Sequence, residues 1–227
     1  MAVADGAGSA PHGALGAALA VRAAIAALEG EGASDETARR ALAALDGQGS
    51  DAAGLAHRVR AAALAARAAV VDAAADRGLP LRDLACTLTT ALADDDSAAV
   101  LQIGDGLAVV RVAMDYAPGL LLAIDPARGE HANETTFLTS DGAVDRPAIA
   151  VLSVPATALA LATDGLLRLA LDVRAAAPHA AFFAPLFAFA ARAGDDGAGA
   201  LEAFLAGPRV RSRTDDDVTL VVALKRP

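Results

Sequence analysis

Three aspartates in this chain are each followed by glycine at a point where an apolar, strand-like run gives way. Asp5-Gly6 follows Ala2-Val3-Ala4, Asp105-Gly106 follows Leu101-Gln102-Ile103-Gly104, and Asp164-Gly165 follows Leu159-Ala160-Leu161-Ala162-Thr163. A fourth acidic group, Asp215-Asp216-Asp217, stands just before the run Val218-Thr219-Leu220-Val221-Val222. Carboxylates on neighbouring strand ends repel one another unless a cation offsets their charge. Glycine beside them lets the backbone approach a ligand closely. Such an oxygen-only donor set favours Mg²⁺ or Mn²⁺ over zinc. The plainer reading is that Asp-Gly is the commonest hairpin turn, which suits Asp105 and Asp141, and that residues 215–217 form a solvated acidic loop. Spacing alone leaves both readings open.

Commoner catalytic signatures are missing. No phosphate-binding loop is possible around Lys225, the only lysine, and there is neither a Gly-x-Ser-x-Gly elbow nor a His-Glu-x-x-His pair. His12, His57, His131 and His179 are too scattered to propose a zinc site. The single cysteine, Cys86, excludes an internal disulfide; its apolar surroundings make it a buried thiol rather than a nucleophile, and a reducing cytoplasm fits. A net charge of -9 argues against a nucleic-acid surface, which needs a concentrated basic patch. The uncharged windows 147–163 and 175–191 are interrupted by proline and too short to span a bilayer, so no membrane segment is expected. Met1 is followed by neither a basic stretch nor a long apolar one, so no secretory signal is expected, and Asn133-Glu134-Thr135 matches a glycosylation acceptor only by coincidence.

The elements that must position the acidic residues follow from periodicity. Hydrophobic residues make up 55% of the chain, yet much of that is alanine and only seven residues are aromatic, which predicts a closely approached aliphatic core. Helical patterns run over 15–28, ended by Gly30, then about 35–45 behind an N-cap at Ser34, and then 51–76 with Arg58, Arg60 and Arg67 reaching solvent. From Gly78 onwards short apolar runs predict strands at 84–92, 98–103, 107–112, 119–124, 136–139, 149–154 and 158–162. The turn Gly104-Asp105-Gly106 reads as the clearest hairpin. A helix after Gly165, helices over 179–193 and 199–205, and a strand over 218–224 complete the order, with Phe182, Phe183, Phe187 and Phe189 assigned to the core. Helices, a meander of strands, more helices and a strand do not make a doubly wound parallel sheet; antiparallel strands with helices on the outer faces account for the order better.

Taken together and in order, these segments resemble the metal-dependent serine/threonine phosphatases of type 2C, in particular a bacterial branch of that family. Residues 3–9 look like its first Asp-Gly motif, 103–106 like its central Gly-Asp motif, 162–165 like its Ser/Thr-Asp-Gly motif and 216–222 like its closing Asp-Asn-x-Thr strand; 129–137 resembles a segment of the bacterial branch. The resemblance implies an α+β fold, a four-layer αββα sandwich of two mainly antiparallel sheets with outer helices, with 1–227 as a single phosphatase-like domain. It implies that Asp5 bridges two Mg²⁺ or Mn²⁺ ions, that the Gly6 carbonyl binds the second, that Asp164 and Asp216 hold the first, and that Asp105 joins Asp164 at a weaker third site. The implied chemistry is attack on phosphorus by a water whose pKa two ions lower, with no covalent enzyme intermediate. The implied partners are a phosphorylated protein and a Ser/Thr kinase or its targets, with no nucleic acid and no membrane, and the implied location is cytoplasmic.

Three positions depart from that pattern. The family's opening strands, which carry a further acidic ligand for the second ion, are expected to be lacking because Met1 lies four residues before Asp5. Ala7 stands where many members have a histidine, leaving water or His12 to protonate the leaving group, and Arg168 stands where some members have a third-site aspartate. An active phosphatase and a weak or inactive phosphatase-like binding module therefore both fit, with a purely structural domain as the third reading.

Overall fold

Alternation along the strands sorts their side chains onto two faces, and both faces are apolar. The computed structural model describes residues 1–30, 52–113, 119–126, 135–172, 174–193 and 197–225. One sheet has the order β1 (Ala2–Val3), β2 (Leu88–Ala93), β3 (Ala98–Ile103), β6 (Ala148–Leu152). The other has the order β10 (Leu220–Leu224), β7 (Ala156–Ala162), β4 (Leu107–Val112), β5 (Gly119–Leu122). Every pairing is antiparallel, and a two-stranded ribbon, β8 (Leu171–Asp172) with β9 (Ala177–Pro178), stands apart.

On β3, Ala98 and Val100 meet Ala108 and Val110 of β4 and Leu159 and Leu161 of β7 in a core between the sheets. The alternate residues Ala99, Leu101 and Ile103 face the other way, against helices α1 (Gly13–Glu29) and α2 (Ala52–Arg77). Leu107, Val109, Ala158, Ala160 and Ala162 line the outer face of the second sheet and pack on Phe183, Leu186 and Phe187 of α4 (Ala180–Ala190). The short helix α3 (Leu167–Ala170), α5 (Gly197–Ala206) and α6 (Pro208–Arg211) flank the same face. The result is helices, sheet, sheet, helices, with mainly alanine and small aliphatics between the layers. Full burial of a side chain such as Leu101 contributes about 1.5–3 kcal/mol.

Several expectations change. The segment 98–112 is no hairpin: β3 pairs with β2 and β6 while β4 pairs with β5 and β7, so Gly104-Asp105-Gly106 crosses from one sheet to the other. The positive φ lies at Gly104 (101°), where a side chain would also meet Thr87 Cγ2 at 2.5 Å. The true hairpin of this region is β2 to β3, closed by Asp94-Asp95-Asp96-Ser97. Residues 136–139 form a turn, not a strand, anchored where Leu138 N–H donates to the Cys86 carbonyl at 2.7 Å. β2 begins at Leu88, not at residue 84, because Leu81–Leu84 is a 3₁₀ turn that closes on α1.

Arg58, Arg60 and Arg67 do more than reach solvent. They donate to the carbonyls of Leu28, of Val144 and Asp145, and of Leu138 and Ser140. Phe183 and Phe187 are buried, whereas Phe182 and Phe189 are only partly so. The predicted helix over 35–45 lies outside the described residues, as does 129–134 of the segment likened to the bacterial branch.

Candidate metal centre

Strand register alone brings the acidic residues to one end of the sandwich. In the second sheet Ala162 of β7 is opposite both Leu220 of β10 and Leu107 of β4. Asp164, two residues beyond Ala162, therefore emerges beside Asp216-Asp217 ahead of β10 and Asp105-Gly106 ahead of β4. In the first sheet Val3 pairs with Thr89, and Thr89 with Gln102, so Asp5 leaves β1 at the same end.

Each acidic segment is fixed by neighbours that periodicity alone does not single out. The Asp5 N–H donates to Thr87 Oγ1 at 3.0 Å, and the Asp5 carbonyl accepts from the Thr87 N–H at 2.8 Å. Gly6 bridges to Cys86, and among the described residues no hydrogen bond reaches the Gly6 carbonyl. Thr163 Oγ1 accepts the Thr219 N–H at 3.0 Å, which ties the end of β7 to the start of β10. Thr135 Oγ1 donates to Asp105 Oδ2 at 2.8 Å. Arg211 Nη1 donates to the Asp216 carbonyl at 2.8 Å, and the Asp217 N–H donates to Asp216 Oδ1 at 2.9 Å. Thr87 and Arg211 were missed in the sequence because nothing in their own spacing marks them; only the register does.

The glycines beside these carboxylates serve the protein's own packing. A side chain at Gly6 would strike the Gly13 carbonyl carbon at 2.4 Å, and one at Gly165 would strike the Asp217 carbonyl oxygen at 2.3 Å. Their absence lets α1 and the approach to β10 close on the two Asp-Gly corners.

Asp5, beyond the end of β1, and Asp164, beyond the end of β7, stand close enough for their carboxyl groups to act on each other. Burial, and then the charges of Asp164 and Asp216, push the Asp5 carboxyl up to about 6 from its ordinary 3.8. Burial, then the charges of Asp105 and Asp216, raise Asp164 as well, against a lowering hydrogen bond from the Gly165 N–H. Two half-buried carboxyls are thus crowded by neighbouring negative charge, a repulsion that a bound cation would offset. Beside them opens a cleft of about 800 Å³ whose walls carry Asp105, Asp164, Asp215 and Asp216 together with Arg168 and Arg213. Cys86, beneath Gly6, is fully buried, and burial pushes its thiol up to about 12, so it supplies no thiolate.

The donors fit a hard divalent ion in kind: carboxylate oxygens plus a free backbone carbonyl. They are not yet closed around one. Among the described residues no three acidic, histidine or cysteine side chains stand as a finished ligand group, and Asp216 is exposed with one oxygen engaged by its neighbour's N–H. His12 opens α1 without a side-chain cap bond, His179 Nδ1 lies 3.0 Å from the Leu169 carbonyl, and His131 is outside the described residues.

The sequence profile of the protein phosphatase 2C family matches residues 1–206. The chain belongs to the protein phosphatase 2C family. It is 35% identical over 226 residues to serine/threonine-protein phosphatase 3 of Escherichia coli (strain K12), covering 98% of this chain and 82% of the relative. Among solved structures it is similar to serine/threonine phosphatase Stp1 from Staphylococcus aureus, with a TM-score of 0.57, 14% identity and coverage of 100% of this chain and 83% of that one. It is also similar to the catalytic domain of serine/threonine protein phosphatase PstP, a structure in complex with two manganese ions, with a TM-score of 0.51, 21% identity and coverage of 97% and 85%. The mixed α+β sandwich of antiparallel sheets is that of type 2C phosphatases. This type 2C phosphatase is a hydrolase acting on phosphoserine or phosphothreonine in proteins, and nothing found favours an inactive binding module instead. No helix among its described residues is long and apolar enough to cross a membrane.

Proposed function

We propose that Asp5, Asp164 and Asp216 are the residues through which this phosphatase acts, as ligands of two divalent cations, with Asp5 shared between them and the Gly6 carbonyl on the second. Asp105 joins Asp164 at a weaker third position. The observation that carries this reading is the convergence, through strand register, of acidic corners from both sheets at one end of the sandwich, Asp5 from the first and Asp105, Asp164 and Asp216 beside the cleft from the second. The ions when bound supply a water of lowered pKa directed at phosphorus and offset the charge that develops on the leaving oxygen.

The remaining work falls to the chain itself. Thr87 and Thr163 hold the two ligand-bearing corners at fixed separation. Arg211, bound to the Asp216 carbonyl, holds the third. Asp5 must release its proton before it can bind an ion, so loading is favoured above the pH at which that proton leaves. Leaving-group protonation is assigned to water or to His12, which begins the helix packed on Gly6.

All-oxygen donors accept Mg²⁺ and Mn²⁺ alike, and either serves in this reading; the PstP structure with two manganese ions supports the dinuclear count. The substrate is a phosphorylated protein, counteracting a Ser/Thr kinase in the cytoplasm, a location supported by the buried, unpaired Cys86. The chain works as one phosphatase domain, its three cores sharing the same two sheets. The test is hydrolysis of a phosphothreonine peptide with and without added Mn²⁺ or Mg²⁺. Turnover that needs the ion and disappears in Asp164→Asn supports the assignment; ion-independent turnover, or full activity in that variant, ends it.

A further inference from the structure

We propose that Arg168 and Arg213 are the phosphate-binding arms of this phosphatase, gripping the non-bridging oxygens of the substrate's phosphoryl group within the cleft. The inference rests on the phosphatase reading and adds the residues that position the substrate.

Both arginines line the cleft that holds Asp105, Asp164, Asp215 and Asp216, and both residues are exposed. Arg168 sits on α3, four positions after Asp164; Arg213 lies in the loop between α6 and β10, three positions before Asp216. Each therefore shares a segment with a proposed metal ligand, and the two segments are distant in sequence. Five arginines elsewhere in the fold are committed: Arg58, Arg60 and Arg67 hold loop carbonyls, Arg111 bonds Thr157, and Arg211 bonds the Asp216 carbonyl. Among the described residues the side chains of Arg168 and Arg213 make no hydrogen bond and no ion pair, although carboxylates line the same walls.

An acidic cleft in a chain of net charge -9 repels a phosphate dianion. Ions bound by the carboxylates cancel that charge but are taken up in doing so. The permanent positive charges left on the walls are these two arginines, the only basic residues lining the cleft among the described residues. A planar guanidinium matches two phosphoryl oxygens at once, which a lysine ammonium does not. The rival role is simple charge balance, in which the arginines soften repulsion among the aspartates and never touch the substrate.

The experiment is calorimetric titration of inorganic phosphate into the Mg²⁺-loaded full chain, with circular dichroism to check folding. Arg168→Gln and Arg213→Gln are each expected to weaken phosphate binding about tenfold, and the lysine variants by an intermediate factor, since they keep the charge and lose the fork. Lys225→Gln, which removes one positive charge at the opposite end of the sandwich, is expected to stay within about twofold. In steady-state hydrolysis of p-nitrophenyl phosphate the same two glutamine variants should raise KM more than they lower kcat. Phosphate affinity unchanged in both glutamine variants, an equal loss in Lys225→Gln, or no phosphate binding by the unaltered chain overturns the proposal. Ion-dependent turnover with unaltered phosphate affinity in the variants would sink the arginine arms and leave the phosphatase reading standing. Weakened phosphate binding in a chain without turnover would do the reverse.

Discussion

The sandwich carries an acidic turn at each end, and the two ends treat their carboxylates in opposite ways. At the end away from the cleft, Asp94 Oδ1 accepts the N–H groups of Asp96 and Ser97 at 3.0 and 2.8 Å, and Asp95 pairs with Lys225 at 2.7 Å. A hydrogen bond from Lys225, and then its charge, hold the Asp95 carboxyl below the ordinary range. At the cleft, burial and mutual repulsion raise Asp5 and Asp164 instead. At one end the carboxylates find N–H and ammonium partners, Asp94 Oδ2 excepted, and at the other they crowd against one another. A carboxylate cluster that the chain does not neutralise, in an open cleft, is where a ligand is missing from the account.

The largest break in this contrast comes from removing a ligand. Asp164→Asn is expected to lower ion-dependent phosphopeptide hydrolysis by roughly a hundredfold or more, read as kcat/KM. Asp95→Asn, the matching change at the far end, should leave kcat/KM within about twofold. Next is the ion itself: Mn²⁺ at 100 times its Kd should stabilise the fold by about 2.7 kcal/mol, a rise in Tm of roughly 5–10 °C by scanning calorimetry. In Asp5→Asn that rise should vanish, while the metal-free variant melts above the unaltered protein at pH 7.5 because one repelling charge is gone. Gly104→Ala comes third, with a loss of about 1–3 kcal/mol in urea unfolding from a side chain forced to positive φ against Thr87. Asp96→Ala in the far turn should lose less.

The pH response is smaller and of definite sign. Asp5 has a folded-state value raised to about 6, so its contribution to metal-free stability is fully present below its ordinary 3.8 and is lost as pH rises through about 6. Mn²⁺ affinity by titration calorimetry should run the other way, climbing over the same window as the proton leaves. Asp5→Asn should flatten the stability profile there. The smallest effect belongs to Lys225→Gln, whose exposed ion pair should change Tm by no more than about 1 °C.

Much of this was open to inspection before the fold was known, and the parts that were not share a cause. α1 with its Gly30 cap, α2, the strand at 98–103, the strand at 107–112 and the last strand follow from periodicity and breakers, which are local. The turn at 104–106 misled because Asp-Gly between apolar runs is compatible with a hairpin and with a crossing between sheets alike. Which sheet β4 joins is settled by its pairing with β7, some fifty residues further on. Residues 136–139 alternate like a strand, yet their anchor is a single backbone bond from Leu138 to the Cys86 carbonyl, a contact made far along the chain. The acidic positions were legible as types beside glycine, but their supports, Thr87 and Arg211, were invisible because their roles exist only across the sheets. Arg168 stands out in the sequence only as a departure; that it lines one cleft with Arg213 needs three dimensions.

The crossing at Gly104-Asp105-Gly106 leaves the two sheets packed face to face without a shared hydrogen-bond ladder. Asp5 belongs to one of them, Asp164 and Asp216 to the other, so on the proposed ligand set an ion held by all three would act as a rivet driven through the sandwich. Starving the protein of metal should then loosen strand-end amides on both halves at once, visible as faster hydrogen exchange at Thr87 and Thr219 together, while the hairpin at Asp94 keeps its pace.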